Sequence, residues 1–302
     1  MDGILNIYKE QDFTSFDVVA KLRGILHQKK IGHTGTLDPM AEGVLPVCLG
    51  SATKLCEMLT DHDKVYETVM ILGETYDTED VTGNKLTENI IMSTEKEIRE
   101  AIFSFIGGYE QTPPMYSAKK VDGQKLYDLA RQGKVIERKS VHVDIFDIKI
   151  ISIDLPRVTM QVHCGKGTYI RTLISDIGKK CGCGAAMEKL TRIRVGNFTE
   201  ETALKLSEIE RLVAEGTIEE KVLCVDSVFE DLLAIVIPEK LCKLIENGNK
   251  LIRDDFNVIG RDVVESLSDG QEVRIYDFNH RFRAVYEYKK DKAELKPVKM
   301  FL

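Results

Sequence analysis

Residues 32–50 constrain this chain more than any other stretch. They read Gly32-His33-Thr34-Gly35-Thr36-Leu37-Asp38-Pro39-Met40-Ala41-Glu42-Gly43-Val44-Leu45-Pro46-Val47-Cys48-Leu49-Gly50. One aspartate, Asp38, stands in a loop too rich in glycine and proline to be ordinary core. The glycines let the backbone turn sharply and approach a large ligand closely. Pro39 biases Asp38 toward an extended backbone, so its carboxylate has a preferred direction. A lone Asp-Pro is usually a solvent turn. Here His33 lies five residues upstream and the apolar run 44–49 lies behind, which favours a presented side chain. The loop is not a phosphate cradle, because neither G-x-x-x-x-G-K-[ST] nor a strand followed by G-x-G-x-x-G is present.

Strand and helix signals surround this loop without a regular β-α-β rhythm. Gly3–Lys9 reads as a strand, and 16–27 as a helix with Thr14 and Ser15 as cap candidates. Residues 64–73 alternate like a strand, with Tyr66, Thr68, Met70 and Leu72 on one face. Helices are expected over 93–105, 125–132 and 168–180, and strands over 141–153 and 157–164. An acidic helical stretch at 205–221 leads to a connection near 224–236. Short strands follow at 272–278, 282–288 and 294–299. The pattern predicts an α+β fold around a mixed, mostly antiparallel sheet, with a small β-rich module at the C-terminal end.

A chain of 302 residues with 43% hydrophobic content can bury about two domains' worth of core. Charged residues make up 30%, and no run approaches the ~18 apolar residues of a membrane span. The first residues lack a signal-peptide pattern. Seven cysteines at scattered spacings fit a reducing, cytoplasmic setting. Cys181-Gly-Cys183 lacks zinc-site spacing, so no metal is expected.

The net charge of −7 argues against a nucleic-acid partner, but its distribution argues for one. Residues 119–140 carry a balance of +4 and residues 157–194 a balance of +6, whereas 195–231 carry −7. Segregation of this kind can place one positive face on an acidic protein. Other candidates fall outside the loop. Arg171 opens a predicted helix, where the helix dipole disfavours positive charge, and its planar fork could hold a carboxylate. Tyr66 lies mid-strand, where packing is the ordinary role. His33 could act as a base, a stacking group or a loop residue. Asp38 and Glu42 superficially resemble a glycosidase pair, but both belong to one loop rather than to facing walls.

Several long motifs carry a resemblance in order along nearly the whole chain. They are GHTGTLDPMAEGVLPVCLG, Lys64-Val65-Tyr66, YETVMILGETYDTEDVTG, TPPMYSAKKVDGQKLYDLARQG and HCGKGTYIRTLISDIGKKCGCGAAMEKLTRIRVG. Together they resemble the bacterial tRNA pseudouridine-55 synthase family, the TruB type. The resemblance implies a pseudouridine synthase catalytic domain over 1–236, with an RNA-gripping insertion at about 108–140, and a PUA-like RNA-binding domain over 237–302. It implies Asp38, Tyr66 and Arg171 as catalytic residues. It implies His33, Tyr169, Leu190, Lys119 and Lys120 as substrate-binding residues, with His33 filling the space of a flipped base. Thr36 stands where relatives often carry alanine.

The implied reaction needs no cofactor, since the same base is detached, turned and rejoined. The implied partner is the T stem-loop of tRNA, with no membrane, no obligatory protein partner, and a monomeric chain. Two other readings compete: a tRNA-binding or folding helper that uses the same pocket without chemistry, and a carbohydrate hydrolase built on Asp38 and Glu42.

Overall fold

The computed structural model describes residues 1–117, 120, 121, 123–132 and 136–302. A single large sheet organises the first two thirds of the chain. Its strands run in the order Gly3–Lys9, Glu42–Leu49, Ala185–Val195, Lys64–Leu72, Arg157–Cys164 and Ile145–Asp154. Every neighbouring pair is antiparallel except Glu42–Leu49 against Ala185–Val195, which is parallel. That parallel contact brings the loop containing Asp38 beside the long strand that carries Leu190 and Arg192.

Local signals explain much of this layout. Thr14 caps the helix Ser15–Ile25 through a capping box with Asp17, and Thr94 caps Glu95–Phe103 through Glu97. Such reciprocal bonds satisfy amide donors that a helix start leaves free. The strand Lys64–Leu72 buries Tyr66, Thr68, Met70 and Leu72, as its alternation predicts. The stretch expected as one strand over 141–153 is divided. Val141–Val143 pairs with Tyr109–Gln111 outside the large sheet, and only Ile145–Asp154 joins the large sheet, beside Arg157–Cys164. The acidic stretch forms the helix Leu206–Glu215, which ends at Gly216 in the left-handed conformation.

The sheet is covered on separate areas. Tyr66, Met70 and Leu190 pack with Ile102 of one helix and Leu173 and Ile174 of another, Ile170–Lys180. Leu5, Ile7 and Leu45 pack with Val18, Leu22 and Ile209 of the helices Ser15–Ile25 and Leu206–Glu215. A second sheet of five strands begins at Leu233 and ends at Met300, and it has its own core around Phe256, Ile275 and Tyr286. Phe229, Val285 and Phe301 share a core with Ile4, Val44 and Leu55. Each such side chain contributes about 1.5–3 kcal/mol by leaving water, so the second sheet is fastened to the first strand rather than tethered loosely. Among the described residues, no helix is long and apolar enough to cross a membrane.

Candidate active site

Asp38 lies in a cavity of about 270 Å³ whose walls include Leu37, Tyr66, Tyr169, Arg171, Leu190 and Arg192. Four pieces of sequence meet there. The glycine-rich loop supplies Asp38. The two adjacent strands supply Tyr66 and Leu190, with Tyr66 registered opposite Arg192. The start of the helix Ile170–Lys180 supplies Arg171. Gly43 permits the loop's close approach: at φ +107, a Cβ there would fall 2.3 Å from the Arg192 carbonyl oxygen.

Arg171 is the centre of the charge network. Its side chain is 6% exposed, and Nη2 lies 3.0 Å from Asp38 Oδ2 while Nη1 lies 3.4 Å from Asp80 Oδ2. Nη1 also donates to the Thr78 carbonyl at 3.1 Å, and Nη2 to the Tyr116 carbonyl at 2.9 Å. Four acceptors therefore hold one planar fork, which offsets the cost of burying its charge. Asp80 is itself buried and accepts hydrogen bonds from the Thr78 and Thr82 hydroxyls and the Thr82 amide. Asp80 lies within the YETVMILGETYDTEDVTG motif, where no local pattern assigns it a role.

Arg171 favours the ionised form of Asp38, as the charge of its guanidinium requires. Burial acts more strongly the other way, with Asp80 adding to it, so the Asp38 carboxyl titrates above the ordinary carboxylate range. About a third of the Asp38 side chain remains open to the cavity. Tyr66 is pushed up by burial, against the opposing pull of Arg192, so its phenol stays protonated.

Two buried cations brace the loop, and sequence reasoning misses both. Lys9 donates to the carbonyls of Glu10, Phe13 and Pro39, the residue after Asp38, at 3.1, 2.6 and 3.2 Å. Burial lowers its pKa to about 8. Arg192 donates to the Val44 carbonyl at 2.7 Å and the Gly35 carbonyl at 3.2 Å. No local pattern marks either residue: Arg192 is bonded to carbonyls about 150 residues away, and the bond that ties Lys9 to the loop, to Pro39, spans 30 residues.

The remaining candidates divide. Tyr169 and Leu190 line the cavity with Asp38. His33 does not line it; it accepts a bond from the Gly35 amide at 3.3 Å, and burial lowers its pKa, favouring the neutral ring. Glu42 turns away to Lys189 at 3.2 Å and the Thr191 hydroxyl at 3.3 Å, so no facing carboxylate pair forms with Asp38. Lys119 lies outside the described residues, and so does the side chain of Lys120.

Comparison with known proteins agrees with this geometry. Residues 23–170 match the model of the TruB family pseudouridylate synthase N-terminal domain. Residues 171–238 match that of the tRNA pseudouridylate synthase B C-terminal domain. The chain is 50% identical to tRNA pseudouridine synthase B of Lachnoclostridium phytofermentans across all of both chains. It is 48% identical to the same-named protein of Clostridium acetobutylicum, over 93% of this chain and 94% of that one. Among solved structures, a Cbf5-Nop10-Gar1 complex contains a chain that matches with a TM-score of 0.70 at 25% identity, covering 99% of this chain and 85% of that one. Matches of this length and identity, on a chain whose cavity brings Asp38 and Arg171 together, make this protein a member of the TruB family of pseudouridylate synthases.

Proposed function

We propose that this chain isomerises the uridine at position 55, in the T loop of tRNA, to pseudouridine, with Asp38 as the group that acts on the sugar–base linkage. The observation that carries this reading is the 3.0 Å pair of Arg171 with Asp38 inside a cavity walled by Tyr66 and Leu190. The reaction breaks N1–C1′ and forms C5–C1′; C5 releases a proton and N1 gains one. No electrons enter or leave, so no cofactor is required. Asp38 can attack C1′, attack C6 of the base, or remove the 2′ proton, and each route needs the same aimed carboxylate.

The detached ring must be kept while it turns. A volume of about 270 Å³ is roughly nine waters' share of the liquid, more than the eight covalently joined heavy atoms of the ring fill, which leaves it room to turn. Tyr66 provides a stacking face and Leu190 an apolar wall. Tyr66 is also the candidate to receive the C5 proton once its phenol has given up its own, and Arg192, which favours the charged form, eases that loss. Extruding the uridine costs a few kcal/mol. His33, as a neutral ring, can recover part of that cost by stacking in the vacated space.

Residues 1–236 form the catalytic domain in this reading, and 237–302 an RNA-binding module. Lys119 and Lys120 belong to the segment that grips the RNA. The chain acts alone on tRNA in the cytoplasm. The test is release of tritium from tRNA labelled at C5 of uridine. Wild-type protein should release label from one site per tRNA, at position 55. Asp38→Asn should bind tRNA but release none, and sustained release by that variant rejects the assignment.

A further inference from the structure

Gln111 ends the strand Tyr109–Gln111, at the root of the segment between that strand and Val141–Val143. It is 1% exposed, as buried as any core leucine. Its amide clasps the backbone of Tyr169 from both sides: Oε1 accepts from the Tyr169 amide at 2.8 Å, and Nε2 donates to the Tyr169 carbonyl at 3.0 Å. Nε2 also donates to the Tyr109 hydroxyl at 2.7 Å, and that hydroxyl donates to Asp176 Oδ2 at 3.2 Å. Tyr169 is the residue immediately before the helix Ile170–Lys180, and the helix start has no side-chain cap of its own. A helix leaves its first amides without partners. Gln111 satisfies one of them from 58 residues away. Asp176, about two turns further along, receives the other end of the same chain of bonds.

The segment that Gln111 roots reaches the site a second time, through the Tyr116 carbonyl on Arg171 Nη2 at 2.9 Å. Tyr169 and Arg171 are two residues apart, and both line the cavity. Rotation of the helix start would therefore move the guanidinium relative to Asp38. We propose that Gln111 is a positioning residue for the reaction. It fixes the direction of the helix start, and thus the Arg171–Asp38 pair, and it ties that alignment to the strand Tyr109–Gln111. This rests on the reading of Asp38 and Arg171 given under Proposed function.

The experiment measures single-turnover pseudouridine formation on a T-arm RNA with enzyme in excess, beside the dissociation constant for the same RNA. Gln111→Met keeps the length and removes every polar contact. Its rate should fall between about 10- and 100-fold, the range for displaced reacting groups, with RNA affinity within twofold of wild type. Gln111→Glu keeps the acceptor for the Tyr169 amide and should recover part of the loss. Tyr109→Phe, one step further from the site, should lose less than Gln111→Met and covers the case in which that variant fails to fold. Combined with Arg171→Lys, Gln111→Met should add little further loss, because both act through one guanidinium. Unchanged rates in Gln111→Met and Tyr109→Phe, or full additivity with Arg171→Lys, overturn the inference. Inactive wild-type protein, or an active Asp38→Asn variant, overturns the underlying assignment instead.

Discussion

Two charged hollows in this molecule are built on opposite principles. The catalytic cavity is small, and its charges are buried and fixed: Arg171 is 6% exposed and Asp80 5%. The hollow in the C-terminal sheet is larger, about 680 Å³, and its walls include Lys250, Lys289, Lys292 and Lys296. There Lys250 remains 56% exposed even while paired with Glu294. Burying a charge costs several kcal/mol unless partners are aimed at it, so a fixed network is retained where direction matters. Hydrated lysines on flexible stems supply charge without direction, which suits contact with a phosphate backbone. One hollow holds its charges in fixed directions, and the other leaves its lysines largely to solvent.

The comparison can be broken at either end. The largest effect is expected for Asp38→Asn, which should abolish turnover. The Asp38 carboxyl is raised in the folded chain, so its ionised form opposes folding once pH exceeds that raised value. Replacing it should leave the thermal midpoint at neutral pH equal to or above that of wild type, measured by calorimetry. A fall of several degrees would show that Asp38 is structural.

Arg171→Lys comes next. A single ammonium cannot meet Asp38, Asp80 and two carbonyls together, so kcat should drop roughly a hundredfold or more, while RNA affinity stays near wild type. Equal losses in rate and affinity would place Arg171 among RNA contacts instead. A smaller effect is expected in the pH profile. Asp38 must be ionised to act, so the acid limb of the rate should lie above the ~4 of an ordinary carboxylate. Asp80→Asn removes one of the groups that raise it and should move that limb to lower pH, as well as slowing the reaction. A limb at the ordinary value in wild-type protein would refute the burial argument. The smallest effect is expected for Lys289→Ala or Lys296→Ala. Either should leave the single-turnover rate intact and lower the slope of log affinity against log salt by about 0.9 for each phosphate that is no longer neutralised. An unchanged slope would remove that hollow from the RNA path.

What is legible in the sequence follows the range of the forces involved. Thr14 marks a helix start that the structure contains, and the helix expected over 93–105 is found at Glu95–Phe103 behind its cap Thr94. The period of two in 64–72 gives a half-covered strand directly. Asp38 and Arg171 stand out because their backbone settings are unusual for their side chains. The strand Ala185–Val195 escapes a reading of the sequence, although it lies in the middle of the sheet. Register shifts between Met187 and Lys189 and between Arg192 and Arg194 break its alternation twice, so no period remains to be seen. Asp80 and Arg171 are 91 residues apart, and Gln111 and Tyr169 are 58 apart. Pairings of that reach leave no periodic trace in the chain.

The double engagement of Arg171 has one more consequence. Two carboxylates face one guanidinium, so the trio carries a net negative charge while Asp38 is ionised. If Asp38 forms an ester or takes up a proton, its charge disappears and the trio becomes neutral, with Asp80 still holding the cation. The arginine is never stranded without a counterion, and it remains in place to receive Asp38 when the carboxylate is regenerated.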